Sequence, residues 1–399
     1  MRGSVAGMQM RILSVVGARP NFMKIAPVVS ELRRVSEVSH RLVHTGQHYD
    51  DKLSGTFFDE LGLPEPDLNL QVGSGSHTWQ TAEVMKRLEP VLEEFRPDLV
   101  FVVGDVNSTL AAALTAVKLG IPVAHIEAGL RSFDLTMPEE TNRKVTDTIS
   151  ELLFVTEQSG VDNLKAEGVS EDRIFLVGNV MIDTLLQHRA IAAKSRILEK
   201  LGVKNGEHIR PYGVLTLHRP SNVDQAETLE RLLQAINELG QEIPVFFPIH
   251  PRTMTRVRDL NLDHYFGGSR NGSPTGLQEL APLGYLDFLC LMDNSRLVLT
   301  DSGGIQEETT ALGVPCLTLR NNTERPATVE HGSNQIVGVD PVRIVSAGRH
   351  ILRTWSRSSR RPPLWDGQAA RRIVEGVLQK RLCDSAQRGQ EQRSSVQLV

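Results

Sequence analysis

Short, unbroken apolar runs alternate along this chain with longer stretches in which apolar residues return every three or four positions. Ile12-Leu13-Ser14-Val15-Val16 is a short run closed by Gly17. From Met23 the spacing becomes helical through Ile25, Val28, Val29 and Leu32. Val84, Met85, Leu88, Val91, Leu92 and Phe95 repeat the helical spacing, with Pro90 inside it, where a missing N–H should kink or break the helix. Residues 99–103 are apolar throughout, as expected of a strand buried on both faces. A helix of small residues is predicted over 109–119, capped by Asn107 or Ser108 and stopped by Gly120. Residues 121–126 read as the next strand. Strand, helix and strand repeated in this way predict a parallel sheet with right-handed crossovers.

The alternation continues through strands at 152–155 and 174–177 with a helix near 160–167, and then changes at Gly178-Asn179. A polar helical stretch, 183–201, runs into a glycine- and proline-bearing segment at 206–213, so a domain boundary is expected near 183–210. A second series follows: strands at 214–217, 245–249, 297–300 and 316–319, with helices at 227–239 and 304–312. Residues 263–276 read as a loop rich in Gly, Ser, Asn and Pro, and the polar tail 384–399 is expected to fray. At 399 residues the chain exceeds what one core usually organises, so two domains are expected.

Composition narrows the classes. Hydrophobic residues are 40% and charged residues 23%, an ordinary globular balance, and the net charge of -4 is spread along the chain. No Lys/Arg block forms a nucleic-acid footprint, and Arg353, Arg357, Arg360 and Arg361 read as a solvated surface stretch. No apolar stretch has the length of a membrane span, and the first apolar run is too short for a signal-peptide core. Cys290, Cys316 and Cys383 form no Cys-x-x-Cys pair, which suggests reduced thiols in a cytoplasmic protein. No histidine or cysteine spacing suits a metal ion, so none is expected.

Charged and glycine-rich positions fall at strand ends. Asp105, Glu127, His218 and Asp301-Ser302-Gly303-Gly304 each follow a predicted strand, where open α/β sheets bind their ligands. Asp105 and Glu127 should end neighbouring strands, and two carboxylates in one crevice can split their acidities. The competing readings are that Asp105 caps the next helix and that Arg131 is simply the ion partner of Glu127. Ser302-Gly303-Gly304 before a helix offers free N–H groups at a positive dipole end, a phosphate cradle. Glu307 and Glu308 suit either helix stabilisation or ribose hydroxyls. Gly17-Ala18-Arg19-Pro20 with Lys24, together with Arg325 and the glycine pair, points to a diphosphate, while no G-x-G-x-x-G or P-loop is present. His48 and His250 carry weaker signals, and His125 reads as a hydrogen-bonded core histidine.

Taken in order, Gly17-Ala18-Arg19-Pro20 with Lys24, Gly104-Asp105, 125–131 (HIEAGLR), Pro138-Glu139-Glu140 with Asn142-Arg143, 301–308 (DSGGIQEE) and Thr323-Glu324-Arg325-Pro326 resemble the non-hydrolysing UDP-N-acetylglucosamine 2-epimerase family, over about 10–380. The resemblance implies a glycosyltransferase-B-like α/β fold: two Rossmann-type domains with parallel sheets facing a central cleft. The first domain would span 8–183 and be joined by a C-terminal helix at 366–382; the second would span 184–365, leaving a polar tail at 383–399. It implies catalytic roles for Asp105, Glu127, Glu139 and His218. It implies UDP or substrate binding by Arg19, Lys24, Arg143, Ser302, Gly303, Gly304, Glu308 and Arg325, with Phe288 at the uracil. The implied reaction is inversion at carbon 2 of UDP-N-acetylglucosamine by anti elimination of UDP and syn re-addition, with no cofactor, no nucleic-acid or membrane partner, and a homodimer.

The chain also departs from that pattern. Asp50 stands where regulated members carry a second glutamine, three residues after the one matching Gln47, and no basic residue lies near 73–77 before His77. His218-Arg219-Pro220-Ser221-Asn222 replaces a more charged segment, so only His218 carries over. A UDP-sugar glycosyltransferase, an epimerase of a modified UDP-2-acetamido sugar, and an inactive binding protein are the rival readings; the cluster of three acids favours the epimerase.

Overall fold

The computed structural model describes residues 9–47, 65–270, 273–354, 356–358 and 360–396. These divide into two compact units: 9–47, 65–184 and 364 onward in the first, and 185–363 in the second.

The first unit is built on seven parallel strands: β1 (Met10–Val16), β2 (Val38–His44), β3 (Leu68–Asn69), β4 (Leu99–Val103), β5 (Val123–Ala128), β6 (Leu152–Val155) and β7 (Ile174–Leu176). Their order is β3-β2-β1-β4-β5-β6-β7, so the winding reverses between β1 and β4. β4 and β5 are buried at every position, which is why β4 reads as a continuous apolar run, while β5 carries His125 and Glu127 within its buried stretch. β2 begins with half-buried polar residues, and its mixed pattern gave no signal.

The helix Asn107–Lys118 starts two residues earlier than expected, and its N-cap is Val106, which has no side chain to cap with. Asn107 and Ser108 lie inside it and bond sideways, Asn107 to Gln80 at 2.9 Å and Ser108 to Gln47 at 2.6 Å. Pro90 sits within an unbroken helix, His77–Phe95. The C-terminal helix, Ala369–Val396, packs on Arg19–Leu32 and stays helical well past the expected end at 382. Asp183 receives the N–H groups of Ala369 (3.2 Å) and Ala370 (2.7 Å) at that helix's positive end. Gly178, at φ +89°, packs against the carbonyl of Leu364, which a Cβ would strike.

The second unit carries a six-stranded parallel sheet of β10 (Gly213–Thr216), β11 (Val245–Pro248), β14 (Leu277–Leu280), β15 (Leu297–Thr300), β16 (Cys316–Thr318) and β17 (Asn334–Ile336). The order is β14-β11-β10-β15-β16-β17, which reverses between β10 and β15. Its core joins Leu215, Phe247, Leu299 and Leu317 of the strands to Leu229, Leu232 and Ile236 of the helix Ala226–Gly240. Two small antiparallel ribbons complete it: β8 (Lys204–Asn205) with β9 (His208–Ile209), and β12 (Ser269–Arg270) with β13 (Ser273–Pro274). The second ribbon lies where a loop was expected. Cys290 and Cys316 are buried free thiols. No helix among the described residues is long and apolar enough to cross a membrane.

Candidate active site

Both reversals of winding carry the polar residues singled out by the sequence. In the first unit, β4 pairs with β5; β4 leaves the sheet through left-handed Gly104, at φ +71°, and β5 carries left-handed Glu127, at φ +74°, just before its last residue. The β5–β6 register slips between Ile126 and Ala128, so Glu127 occupies an irregularity that re-aims its side chain. A Cβ on Gly104 would sit 3.0 Å from Asn21 Nδ2, 3.4 Å from Lys24 Nζ and 3.9 Å from Glu127 Oε2. The turn before Asp105 is thus packed against the same groups that surround Glu127.

The ion partners differ from the simplest expectations. Glu127 pairs with Lys24, both nearly buried, while Arg131 goes to Asp147 (2.8 Å) and Glu167 (2.6 Å). Asp105 does not cap the next helix; its Oδ2 accepts from Arg143 Nε (3.0 Å) and Nη2 (2.8 Å). The third nitrogen of that guanidinium meets Glu140 at 2.7 Å. Glu140 is fully buried and also receives Ser132 N and Oγ at 2.9 Å each and Phe133 N at 3.2 Å. Burial pushes the Glu140 pKa up, but the Ser132 hydrogen bonds and Arg143 hold it below the usual carboxylate range. Its neighbour Glu139 is half-buried in the first turn of the helix Pro138–Ile149, with no side-chain partner among the described residues. Arg19 opens the helix Arg19–Leu32, but its side chain, like His48 and Asp50, lies outside the described residues. Gln47 is buried, and its Oε1 accepts from Ser108 N (3.1 Å) and Oγ (2.6 Å).

In the second unit, His218 follows β10 and Asp301 follows β15. His218 Nδ1 lies 2.8 Å from the fully buried Asp301, while the imidazole itself is exposed. Asp301 also accepts from His218 N, Arg219 N and Asn222 Nδ2 at 3.0–3.2 Å. Burial works to raise its pKa, and these bonds outweigh burial to hold it below the ordinary carboxylate range. The sequence placed Asp301 beside the glycine pair but gave no sign that it orients His218.

The helix Gly303–Leu312 begins at the glycine pair, with Ser302 as an N-cap whose side chain makes no capping bond. Around it lie Arg219, Arg320 and Arg325 with Glu307 and Glu324. Glu324 bonds Arg219 (3.1 Å) and Arg320 (2.8 Å), and Arg325 meets Glu307 at 2.5 Å. Burial works against the charged form of Glu324, yet Arg325, Arg320 and Arg219 hold its carboxyl pKa far below the usual range. Asp301, Glu307 and Glu324 balance the three guanidinium groups, so the positive end that an anion cradle requires comes from the N-terminus of the helix Gly303–Leu312 itself. Glu308 is buried and accepts from Tyr285 Oη at 3.2 Å. Burial, reinforced by Glu307 and opposed by Tyr285, pushes its carboxyl up to about 8. Phe288 is half-buried on the nearby helix Tyr285–Asp293. No cluster of His, Cys, Asp and Glu suited to a metal ion occurs among the described residues.

Comparison with known proteins gives a concordant picture. Residues 30–378 match the family described as UDP-N-acetylglucosamine 2-epimerase. The UDP-N-acetylglucosamine 2-epimerase of Methanococcus maripaludis is 42% identical over 369 residues, covering 91% of this chain and 97% of that protein. The UDP-2,3-diacetamido-2,3-dideoxy-D-glucuronate 2-epimerase of Pseudomonas aeruginosa is 39% identical over 346 residues, covering 86% of this chain and 92% of that protein. The crystal structure of Methanocaldococcus jannaschii UDP-GlcNAc 2-epimerase with UDP-GlcNAc and UDP aligns at TM-score 0.82 and 41% identity, covering 92% and 99% of the two chains.

Proposed function

Because this chain belongs to the UDP-N-acetylglucosamine 2-epimerase family, with its glycosyltransferase-B-like α/β fold, we propose that it interconverts UDP-N-acetylglucosamine and UDP-N-acetylmannosamine. The reaction runs by anti elimination of UDP across carbons 1 and 2 and syn re-addition to the other face of the glycal. The observation that carries this reading is that three acids on the first unit are held in three different ways. Asp105 is forked by Arg143, Glu127 is paired with Lys24, and Glu139 has no side-chain partner among the described residues.

The carbon-2 proton is weakly acidic, so its removal needs a positioned base acting together with stabilisation of the leaving group. Asp105, Glu127 and Glu139 supply the proton-transfer groups. Arg143 forks Asp105 and also meets Glu140, so it holds Asp105 in place beside its expected role toward substrate. The helix start at Ser302-Gly303-Gly304, with Arg325, takes the diphosphate; Glu308 takes the ribose hydroxyls and Phe288 the uracil. Lys24 and Arg19 add positive charge from the first unit. His218, oriented by Asp301, stabilises departing UDP.

The experiment is incubation with UDP-N-acetylglucosamine alone in deuterium oxide, followed by resolution of the products. The epimer should form without an acceptor and carry deuterium at carbon 2, and long incubation should release UDP and the 1,2-unsaturated glycal. Epimer without deuterium would overturn the mechanism. UDP release only on addition of an acceptor, with carbon 2 untouched, would identify a glycosyltransferase. The Pseudomonas relative makes a 2,3-diacetamido uronate the second substrate for the same assay, and a much higher kcat/KM there would move the assignment to the modified sugar.

A further inference from the structure

His125 lies in the middle of β5 with no exposed surface, and the mechanism above makes no use of it. Its Nδ1 is 2.6 Å from Asp147 Oδ1, and its Nε2 is 2.8 Å from the carbonyl oxygen of Gly104. A carbonyl and an ionised carboxylate only accept hydrogen bonds. Both ring nitrogens therefore face acceptors, and only a ring that donates from each side satisfies both. Asp147 is suited to such a donor: burial works to raise its pKa, but His125 and Arg131 hold it below the ordinary range.

The placement of these bonds relative to the acids is what gives them consequence. Asp147 reaches both sides of the kink that bears Glu127. Through Oδ1 it holds His125, two residues before; through Oδ2 it accepts Gly129 N at 3.1 Å, two residues after. Arg131 Nη1, at 2.8 Å, completes its shell and is itself held by Glu167. Glu127 has a left-handed backbone, which a non-glycine residue keeps only where its surroundings impose it. The other end of the ring reaches the peptide oxygen immediately before Asp105, in the left-handed Gly104 turn that abuts Lys24 and Glu127. One buried ring thus ties the turn of the first acid to the kink of the second.

We propose that His125, held by Asp147, is a positioning residue that fixes the mutual placement of Asp105 and Glu127. It does not touch substrate. Its effect on turnover rests on the epimerase reading, whereas its bonding state does not. A clasp of this kind acts on the geometry of proton transfer, where displacements of about 1 Å cost ~10²-fold, and leaves nucleotide binding on the second unit alone.

The test combines two readouts. In nitrogen-15 spectra of the histidine-labelled full chain at pH 7, the His125 ring should show both nitrogens protonated. In His125→Gln and in the milder Asp147→Asn, kcat per UDP-binding site, counted by calorimetry with UDP, should fall about 10²-fold while UDP affinity and KM stay within about 3-fold. A purely structural role would lower the melting temperature and the number of binding-competent sites, but not kcat per site. A neutral ring in the native protein, or folded variants with native kcat per site, would overturn the inference. If His125→Gln fails to fold, Asp147→Asn and the native spectrum still decide. Failure of the native enzyme to epimerise either substrate would instead defeat the reaction assigned above, and the spectrum would then decide the clasp alone.

Discussion

Glu308→Gln should flatten the pH dependence of stability in a way that can be worked out from the site. The Glu308 carboxyl stands at about 8 against an ordinary 4.5, because burial and Glu307 outweigh the Tyr285 hydrogen bond. An acid raised on folding keeps a proton in the native state that the unfolded chain has already released. Between those two values the native state binds more protons, so stability falls as pH rises, by about 1.4 kcal/mol per unit within the window. Glutamine has nearly the same shape and no proton to lose, so the variant escapes that decline. For a unit of this size 1 kcal/mol is about 2–4 °C in Tm. Other groups also titrate here: His40 and His44 are lowered by burial to about 4, and Asp183 is raised by burial to about 6. They are common to both proteins, so the difference between wild type and variant isolates Glu308. Calorimetric melts at pH 5, 6, 7 and 8 should show the variant gaining on the wild type from pH 5 to pH 8. UDP should also expel a proton on binding to the wild type, since ribose hydroxyls donate best to a carboxylate, and should bind the variant more weakly. Wild-type and variant melting curves that stay a fixed interval apart across this range would refute the reasoning.

Asp105→Asn, Glu127→Gln and Glu139→Gln should each lower turnover by ~10²–10⁴-fold, and native turnover in both the Asp105 and Glu127 variants would remove the roles assigned to them. Their stabilities should differ: Glu139→Gln should melt like the wild type, whereas the other two leave buried Arg143 or Lys24 short of a partner and should melt lower. Asp301→Asn should lower kcat by roughly 10²-fold through loss of the charged partner of His218. Because Asp301 is lowered on folding, its stabilising effect exists above its unfolded pKa and is lost as pH falls through the folded one, so the variant's melting temperature should depend less on pH in acid. Gly104→Ala meets both a left-handed backbone and Asn21 Nδ2 at 3.0 Å, and should cost on the order of 1–3 kcal/mol with a fall in kcat, read by melting and kinetics together. With Asp50 in place of a second glutamine and Gln47 bonded internally to Ser108, the reverse reaction should start from pure UDP-N-acetylmannosamine without a lag; a lag abolished by trace UDP-N-acetylglucosamine would show an activating site.

The amino-acid sequence by itself determined the two parallel sheets and where their polar residues emerge. Strands such as Leu99–Val103 are covered on both faces, so burial is written as an uninterrupted apolar run, and the residue ending that run marks the carboxyl edge of the sheet. The glycine pair at the start of Gly303–Leu312 was legible for the same local reason. Elements half-open to solvent, such as β2, or short, such as β17, left no such mark. What only the tertiary structure decided is which charge meets which. Lys24 rather than Arg131 pairs with Glu127, Asp301 orients His218, and Asp147 joins His125 to Gly129. Glu139 and Glu140 are adjacent and chemically alike, yet they lie about 100° apart around their helix. Among the described residues one has no side-chain partner, while the other is fully buried on Ser132 and Arg143. Periodicity records how a residue stands relative to its own backbone and to solvent. Ion pairs and strained turns such as Glu127 depend on atoms brought together from distant parts of the chain, and no local pattern encodes that distance.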